Sequence, residues 1–292
     1  MKEIIVLSSI NYTDSEKNNY GDCILINTGT ELIIYDCGSD AHADAVIDYM
    51  RNNGYEKAKL ILSHNDKDHF GGVQKLLNED KLSVIRTTLL LKYKEEILNK
   101  IDDKRKTKKS IGEQILSNYD NIAKLTGAPI EDIYEHSEDL CEEISIVGPD
   151  FDYMINTVAK YLDGRIGDTV DEETAINATS LQVAIKFQSH KILLCGDCSY
   201  KSIENIIRDY DVIQLPHHGK NNQAKEIFAK KSDQINSIYI VSDNTGNTNG
   251  GSDNLMTKGH RVYNTKNDGN IVINSYFFNS GRIKSGKVLG DL

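Results

Sequence analysis

The chain is poor in positive charge, in cysteine and in long apolar runs, and each shortage removes a class of protein. Its 34 Lys and Arg stand against 44 Asp and Glu, a formal net charge of -10. At long range that charge repels a polyanion, which disfavours tight non-specific DNA binding but leaves room for a nucleotide or a single strand led into a small cationic cleft. No stretch approaches the roughly 18 consecutive apolar residues of a transmembrane helix, so no membrane partner is expected. The start, Met1 to Ser9, enters an apolar strand-like segment at once and lacks the basic start, apolar stretch and small-residue cleavage site of a secretory signal. A cytoplasmic location is expected. Five cysteines, Cys23, Cys37, Cys141, Cys195 and Cys198, are odd in number and mostly sit in apolar strand-like runs, the setting of buried thiols rather than of a disulfide framework. Cys195 and Cys198 form a CxxC, but no second pair completes a zinc ribbon, and a redox motif would normally open a helix, whereas this pair begins in an apolar strand. Nor does a Pro/Gly-rich linker divide the chain, so residues 1–292 are read as one domain, long enough to bury a large core.

What is present is an alternation of short strands and helices. Strands are expected at Ile4 to Ser8, Cys23 to Asn27, Glu31 to Tyr35 and Lys59 to Leu62, with a helix over Ala41 to Asn53, where Ala45, Val46, Tyr49 and Met50 fall at helical spacing. Lys94 to Glu135 has the composition of a solvated helical pair and reads as an insertion. A helix over Tyr153 to Leu162 precedes a hairpin, Leu181 to Phe187 with Lys191 to Cys195. A helix over Ser199 to Arg208, a strand Asp211 to Leu215, a helix near Gln223 to Lys230 and a strand Ser237 to Val241 follow. Ser242 to Gly259, dense in Asn, Gly, Ser and Thr, is expected to be a mobile loop. Strands at Gly269 to Asn274 and Ser275 to Phe278 are expected to close the chain. Strand-rich halves with interleaved helices predict an α/β sandwich, two sheets inside and helices outside.

Three clusters carry chemistry. In His64-Asn65-Asp66-Lys67-Asp68-His69, four of six residues can bind a metal, and they lie where a strand ends and a helix begins. Imidazole and carboxylate together suit borderline to hard divalent ions such as zinc, manganese or iron. Asp197 closes the strand before it, where an Asp is equally at home as an N-cap. His217 and His218 follow Pro216 at the end of another apolar strand, an unlikely place for core filler. The other histidines, His42, His136, His190 and His260, are expected on the surface. Asp22 and Asp36 are either turn residues or carboxylates that orient ligating histidines.

Ser63-His64-Asn65-Asp66-Lys67-Asp68-His69-Phe70-Gly71-Gly72 resembles the metallo-β-lactamase superfamily signature in the HxDxDH form of the soluble hydrolase domain of ComEC-type competence DNA-uptake proteins. Gly21-Asp22-Cys23, Asp36-Cys37-Gly38, Asn177 with Ser180, Leu193-Leu194-Cys195-Gly196-Asp197, Pro216-His217-His218-Gly219 and Thr265 with Asp268-Gly269 resemble that branch in the same order, over about residues 20 to 272. The resemblance implies a four-layer αβ/βα sandwich with a helical insertion at about 94–135. It makes His64 and Asp66 ligands of one divalent ion, Asp68, His69 and His217 ligands of a second, and Asp197 the bridge, with a hydroxide shared between the ions. Asn177 stands where the superfamily has a third histidine, as a weak ligand or a substrate contact. That substitution makes the first site rich in oxygen and favours manganese or iron over zinc. The His-Pro pair that the branch carries after the strand Ser237 to Val241 is missing, as are the channel and nucleic-acid module of uptake proteins.

Two divalent ions sharing a water make hydroxide available at neutral pH, and attack on a phosphodiester is the natural chemistry. Asp68 would orient the nucleophile, and His218, beside a ligand but turned away from it, would contact the phosphate or protonate the leaving oxygen. Lys220 would add positive charge. The expected partner is a phosphodiester, a single-stranded nucleic acid or a nucleotide. Hydrolysis of another ester, phosphoester or lactam is the alternative within enzymes. A di-iron oxygen reductase would need a flavin module for which no length is left, and a non-catalytic metal-binding regulator is the alternative outside enzymes.

Overall fold

The computed structural model describes residues 1–9, 21–123, 125–136, 140–165, 173–242 and 251–278. Two sheets stack face to face. The first has the order β13-β1-β2-β3-β4-β5-β6, where β1 is Glu3–Val6, β2 Ile24–Asn27, β3 Leu32–Tyr35, β4 Ala58–Ile61, β5 Leu82–Thr87, β6 Ile130–Asp132 and β13 Ile271–Ile273. The second has the order β12-β11-β10-β9-β8-β7, where β7 is Ile144–Gly148, β8 Gln182–Phe187, β9 His190–Leu194, β10 Val212–Gln214, β11 Ile238–Val241 and β12 Arg261–Asn264. β1 pairs antiparallel with both β2 and β13, so the far end of the chain completes the first sheet.

Side-chain alternation along each strand builds the layers. Ile4 and Val6 join Tyr35, Val183, Phe187, Ile192 and Ile240 in the core between the sheets. Ile5 and Leu7 face the other way, onto helices α1 (Asp40–Asn53), α3 (Val73–Asn78), which follows the one-turn α2 (Lys67–Phe70), and α6 (Phe151–Leu162). On the far side, Leu193, Ile213, Tyr239 and Val241 cover the short helix Tyr200–Ile203 and the helix Asn221–Lys230. The expected four layers are present. α1 begins where Ser39 Oγ accepts the His42 N–H at 3.1 Å and ends at Gly54, whose φ of 74° is the left-handed conformation glycine supplies without strain.

Several expectations need correction. The insertion does carry two helices, α4 (Lys94–Asn99) and α5 (Lys108–Ala123), but Ile97, Ile111, Ile115 and Ile122 are buried in the helix-side core. Each such side chain contributes roughly 1.5–3 kcal/mol, and β6 at the end of the segment pairs parallel with β5 as the edge of the first sheet. The insertion is thus part of the packed body. Strands β5, β6, β7 and β12 have no counterpart among the expected strands, and Ser199 to Arg208 holds only Tyr200–Ile203 as α-helix before a 3-10 turn at Ile207–Asp209. Ser275 to Phe278 is a turn whose Phe277 plugs the core beside Tyr263. Of the expected mobile loop Ser242 to Gly259, residues 243–250 lie outside the described residues, and the remainder includes a 3-10 turn at Ser252–Asn254.

The topology decides where the site lies. β3 and β4 run parallel in one sheet, and β9, β10 and β11 run parallel in the other. Parallel strands deliver their C-terminal ends to one edge, and loops there collect polar side chains. Asp36 follows β3, His64 to His69 follow β4, Asp197 follows β9, His217 and His218 follow β10, and Ser242 follows β11.

Candidate metal centre

Three imidazoles and two carboxylates meet at that edge. His64 Nε2 lies 4.0 Å and His69 Nε2 3.4 Å from Asp197 oxygens, and His218 Nε2 lies 3.1 Å from Asp68 Oδ2 and 3.6 Å from Asp197 Oδ2. Asp66, half-exposed, puts Oδ2 3.5 Å from His64 Nε2. Among the described residues, ligand atoms group within 4.8 Å of one another in two trios: His64, His69 and Asp197, and Asp22, His69 and His218.

The tautomers follow from what each Nδ1 faces. His69 Nδ1 is 2.8 Å from Asp36 Oδ2, a carboxylate that can only accept. His218 Nδ1 is 3.0 Å from the Ser242 carbonyl, again an acceptor only. Ser63 Oγ gives its proton to Asp36 Oδ2 at 2.7 Å, so it accepts from His64 Nδ1 at 2.9 Å. Every ring therefore carries its proton on Nδ1 and turns the Nε2 lone pair inward, the preparation of a metal-ligating histidine. Inward, lone pairs meet carboxylate oxygens. His64 Nε2, His69 Nε2 and Asp197 Oδ1 are buried without a hydrogen-bond partner among the described residues. Acceptors facing acceptors require a proton or a cation between them, and divalent ions fit this donor set.

Charge leads to the same place. Asp22, Asp36, Asp68 and Asp197 are all at most 6% exposed, a density of buried carboxylates that needs compensating positive charge. In the metal-free protein the histidines provide it. Burial pulls His69 and His218 toward the neutral form, but Asp197 with Asp36 for His69, and Asp197 with Asp22 and Asp68 for His218, outweigh burial and hold both rings well above the usual imidazole value. Burial raises Asp68 and Asp197 likewise, yet His218 and His69 beside them bring both well below the ordinary carboxylate range.

The backbone is shaped around these contacts. Asp36 adopts φ 58° and its Oδ1 accepts the Ser63 N–H at 2.7 Å, so one carboxylate fixes His69 directly and His64 through Ser63. A Cβ on Gly21 or Gly38 would fall 1.9 or 2.0 Å from the Asp68 carbonyl oxygen, and Asp22 N donates to that same oxygen at 2.8 Å. Gly71 and Gly72 pack as tightly on Gly38 and Ser39. Only bare backbone admits the helix that presents Asp68 and His69.

Other expected site residues lie differently from their sequence reading. Asn177 is buried, and its Oδ1 accepts from Thr174 Oγ1 at 3.0 Å. His217 is largely buried beside Asp197 but belongs to neither trio. His218, read as turned away from the ligands, is fully buried among them. Asp22 and Asp36 are carboxylates facing histidines rather than plain turn residues. His42, expected on the surface, is fully buried on the inward face of α1, where burial lowers its pKa to about 4. Its place in the stripe with Val46, Tyr49 and Met50 was a usable signal. Gln214 is a further member of the site. Its Nε2 donates to Asp22 Oδ2 at 2.9 Å, and its Oε1 accepts from Cys195 N at 2.8 Å and Gly196 N at 3.1 Å, tying the Asp22 loop to the turn that carries Asp197. A lone amide inside Val212-Ile213-Gln214-Leu215 marks it. Cys23, Cys37, Cys195 and Cys198 are buried free thiols, as expected, and Cys141 is half-buried. No described helix is long and apolar enough to cross a membrane.

Similarity to known proteins agrees with this geometry. The chain superposes on the metallo-β-lactamase fold protein YhfI from Bacillus subtilis with a TM-score of 0.54 at 14% identity, covering 94% of this chain and 99% of that one. It superposes on Tm1679, described as a metal-dependent hydrolase of the β-lactamase superfamily, with a TM-score of 0.50 at 14% identity, covering 90% and 96%. At these identities the likeness concerns the fold. No curated protein matches at the sequence level. The family model of the metallo-β-lactamase superfamily matches residues 18–240, which include every histidine and carboxylate of the centre. The chain belongs to the metallo-β-lactamase superfamily of metal-dependent hydrolases.

Proposed function

We propose that the protein is a dinuclear phosphodiesterase, acting on a nucleotide or a single-stranded nucleic acid. The observation that carries it is the set of three buried imidazoles, each with Nδ1 spoken for and Nε2 turned onto Asp68 and Asp197. His64, Asp66, Asp68, His69 and Asp197 would hold two divalent ions together with a histidine of the Pro216-Gly219 turn. When bound, such ions acidify a shared water and neutralise charge gathering on phosphoryl oxygens. The oxygen-rich first site favours manganese or iron over zinc.

The chain's own residues do the rest. Asp36 and Ser63 fix ring orientation and basicity, Gln214 locks the two halves of the centre together, and Asp68 accepts a hydrogen bond that orients the nucleophile. The choice of a phosphodiester rests on the likeness of the HxDxDH-Gly-Gly segment and the Pro-His-His-Gly turn to the ComEC-type hydrolase domain, not on the fold, which serves many esters. The test is to measure metal content, and cleavage of bis-p-nitrophenyl phosphate, single-stranded DNA and RNA with added manganese or zinc, for the wild type and for Asp68→Ala with His69→Ala. Near two metals per chain and cleavage, both lost in the double variant, supports the reading. Bound metal without cleavage of any of the three sinks the phosphodiesterase reading in favour of another ester or a regulator, and absence of metal sinks the centre itself.

A further inference from the structure

We infer that the adjacent histidines divide the work in a way their order in the sequence does not reveal: His218 holds the second ion with Asp68, and His217 faces the substrate. The inference rests on the dinuclear reading above.

His218 is fully buried, and its Nε2 is 3.1 Å from Asp68 Oδ2 and 3.6 Å from Asp197 Oδ2, the two carboxylates that centre would share. Its ring centroid is 5.3 Å from that of His69. Behind it, Nδ1 meets the Ser242 carbonyl at 3.0 Å and Asp22 Oδ1 at 3.2 Å, while Gln214 grips the other oxygen of Asp22. A ring with its outer nitrogen held by a carbonyl and an oriented carboxylate, and its inner nitrogen among ligand oxygens, is built as a ligand.

His217 has none of this support. Its backbone N–H donates to Gly196 O at 3.1 Å, which sets it beside the Asp197 turn, and its largely buried ring, close enough to Asp197 and His64 to interact with their charges, stands 6.3 Å from that of His218 at 86°. The cause is local. Both residues have positive φ, 53° and 54°, a conformation that non-glycine residues hold only when their surroundings enforce it. Two consecutive left-handed residues turn the chain so sharply that neighbouring side chains leave in different directions. One ring goes into the centre and the other to its rim.

The test compares His217→Asn and His218→Asn, since Asn tolerates positive φ best among side chains of this size. Metal per chain is measured by mass spectrometry after passage through a weak chelator, with kcat and KM on bis-p-nitrophenyl phosphate. His217→Asn is expected to keep two metals and show a several-fold change in KM or kcat; His218→Asn is expected to keep one. Should His218→Asn fail to fold, Asp22→Asn is expected to weaken the second metal ten- to a hundredfold through the lost anchor of His218 Nδ1. Loss of metal in His217→Asn, or two full equivalents in His218→Asn, overturns the assignment while leaving the dinuclear reading intact. A wild type without metal overturns both.

Discussion

Replacing Asp36 with Asn probes the centre without touching any atom that would meet a metal. Asp36 accepts three hydrogen bonds, from Ser63 N at 2.7 Å, Ser63 Oγ at 2.7 Å and His69 Nδ1 at 2.8 Å. An amide of the same shape has one accepting atom and one donating atom, so whichever way it turns, at least one N–H or O–H meets an NH2. With the nitrogen at the Oδ2 position, His69 escapes the clash by moving its proton to Nε2, which fills its ligating position. Asn also suits the backbone, because φ 58° is a conformation that Asn and Asp tolerate better than other residues. The loss should therefore fall on metal binding and not on folding. Breaking a carboxylate–histidine partnership of this kind costs about 10–100-fold in metal affinity, or about 1.4–2.7 kcal/mol, and the link through Ser63 to His64 places the expected effect at the upper end. Competition with a fluorescent chelator measures it, with circular dichroism as the check on fold. Affinity within twofold of wild type would refute the orientation argument, because Nδ1 of His69 would then not need its acceptor.

Three further outcomes are expected. Gly38→Ala puts a Cβ 2.0 Å from the Asp68 carbonyl oxygen and should cost about 3 kcal/mol or more through overpacking, whereas Gly112→Ala, helical and with its nearest neighbour at 3.9 Å, should gain about 0.5–1 kcal/mol; urea titration decides, and equal effects would contradict the packing. Lys231 is 2% exposed, and its Nζ donates to the carbonyls of Tyr210 at 2.7 Å and Ile207 at 3.3 Å, so Lys231→Met should destabilise by about 2–3 kcal/mol through loss of hydrogen bonds from a charged donor, with metal content unchanged. In the presence of chelator, the depressed Asp68 and Asp197 stabilise the fold above about pH 4 and lose that effect as pH falls, whereas the raised His69 and His218 stabilise it below about pH 6.5 and lose theirs as pH rises through their folded values. Chemical denaturation of the metal-free protein should thus show its greatest stability between those limits, and a steady climb to pH 9 would contradict the ion pairs.

The sequence by itself was enough for much of the fold. α1, β2, β3, β4 and β11 are short, periodic and bounded by turn residues, so local side-chain pattern and local backbone preference agree, and the metal-binding types gather where such strands stop. His64 to His69 is legible because all its members lie within one loop. Tertiary structure alone decided what crosses the chain. β5 and β7 are short strands whose exposure differs residue by residue with the neighbour they pair with, so no clean alternation marks them. The four isoleucines of the insertion look like the apolar stripes of a solvated helical pair until the rest of the helix-side core is set against them. Asp68 meets His218 across 150 residues and Asp22 meets Gln214 across 192, distances over which no periodicity carries information. The division of work proposed for His217 and His218 turns on two consecutive positive φ angles between β10 and the helix Asn221–Lys230, which two identical side chains cannot announce.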